Sequence, residues 1–146
     1  MTELISFVLP DAIRPIKYEL TLEPNLKEFT FIGQEIVDIY VSQKTSNIVL
    51  NSAEIDIESA EVIFSDKSIL KPSEIYLSKD QETANLAFES DLPKGNAKLS
   101  LEFTGQLNER LQGFYRSRYI DAAGSEQFLA TTQFEATDAR RAFPCW

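Results

Sequence analysis

From Ala97 to Thr104 the chain alternates without a break. Ala97, Leu99, Leu101 and Phe103 are apolar, while Lys98, Ser100, Glu102 and Thr104 are polar. A period of two sends successive side chains to opposite faces, so this stretch is predicted to be a strand with one buried and one wetted face. The period recurs earlier in the chain. From Ile16 to Glu23, Tyr18, Leu20 and Leu22 oppose Lys17, Glu19 and Thr21; in a longer run from Phe29 to Val41, Val37, Ile39 and Val41 alternate with Ile36, Asp38 and Tyr40. Gly33 lies inside that run, where a bulge or strong twist is expected of so long a strand. A sequence with this period cannot settle as helix.

Shorter runs extend the pattern: Asn47–Asn51, Ile55 and Ile57, then Ala60, Val62 and Phe64, then Ile75–Ser78 and Ala84–Phe88. Ser65–Ser68 reads as a hairpin turn and Asp91–Asn96 as the plainest loop, with Gly105 ending the strand that follows. Gly113–Ile120 and Gln127–Phe134 are predicted as the last two strands, joined through Asp121–Gly124. Only Glu135–Phe143 is open to helix, with Pro144 ending it. Nine or ten short strands with almost no helix predict an all-β fold, an antiparallel sandwich or a saddle-like pair of sheets. The sequence shows no internal repeat and no low-complexity linker, so residues 1–146 read as a single domain.

Charge and composition narrow the chemistry. With 14 Lys and Arg against 23 Asp and Glu the formal charge is −9, which opposes binding to nucleic acid, where phosphate contacts rest on basic side chains. The chain has no histidine and one cysteine. Ser-His and Cys-His catalytic pairs are therefore excluded, and no transition-metal site is expected within it. The N-terminal stretch through Pro10 carries Glu3 where a secretory signal would be basic, and no stretch approaches the roughly twenty apolar residues of a membrane span. A lone Cys145 and the lack of an Asn-x-Ser/Thr sequon point to the cytoplasm.

Most carboxylates alternate with apolar residues and are expected on wetted faces, against a glycosidase-like pair. Arg110, Arg116 and Arg118 are read as solvated strand positions rather than an anion clamp, and Tyr115 and Tyr119 as core or rim. Cys145 is expected to be small and buried, since no base is present to activate it. Gln133 and Glu135 stand apart. Two positions apart at a strand end, they share a face with Phe134 on the other, and an amide beside a carboxylate suits a cationic group with hydrogens to donate. The alternative is an ion pair from Glu135 to Arg140 or Arg141, and the residues alone leave both open. Phe143–Trp146 form an apolar ending that predicts an exposed patch, and with it dimerisation of the isolated chain, unless more polypeptide follows and covers it.

Thr131–Trp146, reading TTQFEATDARRAFPCW, resembles a signature of the zinc aminopeptidase family that includes aminopeptidase N and puromycin-sensitive aminopeptidase. There it normally continues Asp-Glu-Pro. Leu9-Pro10, Pro15–Pro24 and Phe31–Gly33 are similar to the family's opening strands, and Leu111–Tyr119 to its Gly-Phe-Tyr-Arg-Ser stretch. The likeness runs from about residue 9 to 146. Lys17 departs from it, since many members have histidine before the tyrosine.

The resemblance implies an N-terminal β domain that packs on the enzyme's own thermolysin-like catalytic domain. The zinc motif H-E-x-x-H and Gly-x-Met-Glu-Asn belong to that other domain and are absent here. It further implies that Glu135 binds the α-ammonium of peptide substrates with a free N-terminus and that Gln133 lines the pocket for the first side chain. The expectation is therefore the substrate-gripping part of a zinc-dependent aminopeptidase, inactive by itself. Two rivals stay open at this point: a stand-alone β-sandwich interaction module, and a carboxylate-dependent hydrolase within the domain.

Overall fold

A computed structural model describes residues 8–146; most of the N-terminal stretch read against a signal peptide lies outside the described residues. The described chain is all-β and its strand pairs are antiparallel. Ten strands follow in order: β1 Ile13–Asn25, β2 Thr30–Val41, β3 Thr45–Asn51, β4 Ile55–Phe64, β5 Ile69–Leu70, β6 Glu74–Ser78, β7 Thr83–Leu92, β8 Gly95–Gln106, β9 Gly113–Ile120 and β10 Glu126–Gln133. A 3-10 turn, Asp138–Arg141, stands within the segment left open to helix. The strands form a five-stranded sheet in the order β1-β2-β8-β4-β5, a three-stranded sheet β3-β7-β6 and a two-stranded β10-β9 hairpin.

The alternation in sequence becomes alternation in burial. Along β2 the buried positions are Phe31, Gly33, Glu35, Val37, Ile39 and Val41, with Ile32, Gln34, Ile36 and Tyr40 exposed. Val37, Ile39, Leu99 and Leu101 of the large sheet share one core with Ile48, Leu50, Leu86 and Phe88 of the three-stranded sheet. The chain repeatedly crosses between these sheets, so neither can bury its apolar face without the other. Asp91–Asn96 proves to be such a crossing. β7 runs to Leu92 and β8 starts at Gly95, leaving only Pro93-Lys94 outside the strands.

Gly33 carries no bulge; it pairs in register with Leu22 on one side and Phe103 on the other. Its function is to make room. A Cβ added at Gly33 would lie 2.1 Å from the Phe103 ring, and one added at Gly105 would lie 2.3 Å from the Phe31 ring. Because Phe31 pairs with Gly105 and Gly33 with Phe103, two rings lie across two glycines on either side of the Ile32–Thr104 pair of the β2–β8 ladder. Gly105 therefore does not end β8, which continues to Gln106. In the β1–β2 pair the irregularity falls instead between Pro15 and Lys17 of β1, where proline has no N–H to give the ladder.

The β9–β10 hairpin is held to this body by aromatic contacts. Phe114 lies 5.0 Å from Phe31, and Phe128 meets Phe29 edge-on at 4.8 Å. The Arg116 guanidinium sits 4.2 Å over the Phe29 ring, donates to the Leu107 carbonyl at 2.7 Å and pairs with Glu109. Arg116 is thus a half-buried packing residue rather than the solvated one expected, because its planar cation can stack and donate at once. Arg110 and Arg118 are exposed, paired with Glu54 and Glu126. Tyr119 is at the rim and Tyr115 half-buried.

The apolar ending also departs from expectation. Pro144 and Cys145 are buried, and Phe143 and Trp146 half-buried. Cys145 exchanges backbone hydrogen bonds with Asn51 of β3, at 2.7 and 2.9 Å, and the Trp146 N–H donates to the Tyr18 hydroxyl at 3.1 Å. The predicted patch is largely folded away, which removes the basis for dimerisation through this end.

Candidate functional site

Gln133 closes β10 opposite Gly113 of β9. Phe134 then turns inward, half-buried and edge-on to Phe143 at 6.2 Å, which in turn packs edge-on against Tyr18 at 5.9 Å. Gln133 and Glu135, on either side of Phe134, are both exposed. The Glu135–Ala136 peptide bond is cis. Among the described residues neither the Gln133 amide nor the Glu135 carboxylate makes a hydrogen bond or an ion pair, so the chain presents both to whatever approaches.

The two arginines are committed elsewhere, which removes the reading in which Glu135 is paired with one of them. Arg140 Nε donates to the Thr137 carbonyl at 2.9 Å. Arg141 is the hub of the frame. Its Nε meets Asp138 at 3.0 Å, and its terminal nitrogens meet Glu54 at 3.3 Å and Glu82 at 3.1 Å. These carboxylates keep the guanidinium charged beyond its ordinary range, although burial opposes them. The Arg141 stem also passes Gly113 so closely that a Cβ there would lie 2.5 Å from Arg141 Cβ. With Asp138 N–H donating to the Phe134 carbonyl at 2.8 Å, the residues from Gln133 to Arg141 form a loop fastened at both ends.

Comparison with known proteins decides the family. The model of the Peptidase M1 N-terminal domain matches residues 14–146. The chain belongs to that family. Aminopeptidase 2 of Candida albicans is 42% identical over 140 residues, covering 95% of this chain and 14% of that protein. Aminopeptidase M1-B of Oryza sativa is 43% identical over 138 residues, 94% of this chain and 15% of that protein. The alanine/arginine aminopeptidase of Saccharomyces cerevisiae is 40% identical over 144 residues, 95% of this chain and 16% of that protein. This M1 N-terminal domain therefore spans about one-seventh of the length of the curated relatives it matches.

The donor set of the M1 N-terminal domain does not fit the zinc that the family resemblance implies. It has no histidine, and among the described residues no three acidic or cysteine side chains gather as a metal-holding group. Burial pushes the Cys145 thiol up to about 11, away from the thiolate a metal requires. Two clefts of about 490 and 500 Å³ open on the surface, one beside Ile16, Phe64 and Lys98 and one beside Ser52, Leu77 and Arg141; Gln133 and Glu135 line neither. The exposed pair stands at an open edge and needs a facing wall before it can enclose anything.

Two features of this region escaped the sequence. Glu54 and Glu82 come from turns far away in the chain, and no local spacing ties them to Arg141. Glu35 carried a usable signal, since the period places it inward with Val37 and Ile39. It is 1% exposed, neither of its oxygens has a hydrogen-bond partner among the described residues, and burial raises its carboxyl to about 8.

Proposed function

We propose that this domain grips the free N-terminus of a peptide within a longer aminopeptidase. The observation that carries the reading is the exposed Gln133–Glu135 pair, without partners among the described residues, on a fastened loop of a chain whose relatives bear aminopeptidase names. An enzyme that removes one residue has to measure from the chain end. A carboxylate that holds the terminal ammonium at a fixed place makes that measurement by geometry. Glu135 is the ammonium acceptor, and Gln133, on the same side, contacts the first side chain. The reacting centre, including the zinc that the resemblance implies, lies outside this chain, so the domain alone supports binding and no turnover. The cytoplasm, where a single free cysteine stays reduced, is the compartment we assign it.

The test is Glu135→Gln in the whole protein. An amide keeps the size and loses the charge, so a charge-assisted hydrogen bond of about 1.5–3 kcal/mol is weakened. The value of kcat/KM on a free-amine peptide should fall about tenfold or more. Wild-type efficiency in this variant would reject the assignment.

A further inference from the structure

Arg141 is used by nothing in the reading above, yet the loop bearing Glu135 is built on it. Three carboxylates from three separate places converge on its guanidinium: Glu54 from the β3–β4 turn, Glu82 from the β6–β7 turn and Asp138 from the 3-10 turn. Glu54 and Glu82 both have left-handed backbone, with φ of 59° and 52°. Neither is glycine or asparagine, so each turn holds a less favoured conformation at the residue that faces Arg141. The Arg141 side chain is 19% exposed, so its pairs are far better shielded than those of Arg110 or Arg118. On the other side its stem fills the space left by Gly113, the residue paired with Gln133. Only Phe134–Thr137 separate the strand end from this anchored turn.

We infer that Arg141 is a positioning residue for substrate binding, which sets where Gln133 and Glu135 stand relative to the rest of the domain. This rests on the proposed role of Glu135. The guanidinium is specific to the task because its planar fork reaches three acceptors in three directions. An ammonium is a single point and cannot span them. Lysine keeps the charge but should let the turn shift.

The experiment is a double-mutant cycle in the whole protein with Arg141→Lys and Glu135→Gln, joined by amide NMR spectra of this chain with and without Arg141→Lys. Arg141→Lys should raise KM for free-amine peptides fivefold or more and change kcat less than twofold. Added to Glu135→Gln it should raise KM little further, since both changes act through one contact. Amide signals of Gln133–Thr137 should move while those of β2 and β8 stay. Glu82→Gln, which removes one arm, should give the same pattern more weakly and serves if Arg141→Lys does not fold. Effects that multiply in the double variant, or unmoved amides at Gln133–Thr137, would overturn the inference. Moved amides with a silent Glu135→Gln would instead reject the role of Glu135 and leave the structural link standing.

Discussion

Among the described residues Glu35 and Glu135 both lack a side-chain partner, and they share almost nothing else. Glu35 points into the core between Leu20 of β1 and Leu101 of β8, its cross-strand neighbours. Glu135 stands on an open loop edge in water. The groups that reach toward Glu35 are Tyr18 from β1, whose hydroxyl burial raises, and Cys145 from the terminal segment, whose thiol burial also raises. Arg140 acts on Cys145, and among the described residues no cation offsets the burial of Glu35. Solvent decides what an unmatched carboxyl becomes. In water it is an inexpensive acceptor held ready for a ligand; under a sheet it is stable only while it keeps its proton.

The largest expected effect follows from that proton. An ordinary glutamate here would titrate near 4.5, and burial moves Glu35 to about 8. Between those values the folded state holds a proton that the unfolded chain has released. The contribution of Glu35 to stability is therefore full below about 4.5, falls as pH rises toward 8 and is level above it. A single group contributes a slope of about 1.4 kcal/mol per pH unit across the window. The chain has no histidine, so few other groups titrate there, and Cys145 acts only at higher pH. Urea titrations of wild type and Glu35→Gln from pH 5 to 8.5 isolate the effect. The amide variant should gain on wild type by a few kcal/mol over that range. A wild-type-to-variant difference that is the same at both ends would show that Glu35 is not protonated in the fold, and the contrast with Glu135 would collapse.

How far the two glutamates were legible beforehand differs for a physical reason. Strand period is local, so the inward placing of Val37, Ile39, Leu99 and Leu101 could be read directly, and Glu35 shares their register. The exposure of Gln133 and Glu135 on either side of a half-buried Phe134 agrees with a spacing of two. Partners brought together by topology were not. Nothing near Arg141 in sequence announces Glu54 or Glu82, and nothing near Gly33 announces that the Phe103 ring lies over it. The absence of a bulge at Gly33, where a bulge or strong twist was expected, and the exposed ending expected at Phe143–Trp146 share this cause: each was judged from its own residues, while a distant strand supplied the contact.

A smaller effect separates the glutamates by function. At pH 7 Glu35 is mostly protonated, and an amide resembles a protonated carboxyl in size and in being uncharged. Glu35→Gln in the whole protein should therefore leave kcat/KM on a free-amine peptide within about twofold of wild type, against the tenfold loss expected for Glu135→Gln, a gap of about 1 kcal/mol. Steady-state kinetics of the two variants side by side make the check. Equal losses would mean that the loop and the buried carboxyl act as one unit.

The smallest effect is the one the comparison needs most. Glu135 has no hydrogen bond and no ion pair among the described residues, so the fold gains nothing from its charge. Exposed substitutions that break no contact usually change stability by less than about 0.5 kcal/mol. Glu135→Gln should therefore leave the urea midpoint of this domain where it is at every pH from 5 to 8.5. A clear destabilisation would mean that Glu135 is tied into the frame after all, by Arg140 or by the Arg141 cluster, and a group already satisfied at home is a poor receptor for a substrate's ammonium. A clear stabilisation would carry the opposite meaning. Its charge would then be held against neighbouring carboxylates such as Asp138, at a cost the fold bears for binding. A null result, joined to a tenfold loss of activity, is the signature of a side chain kept for its ligand alone.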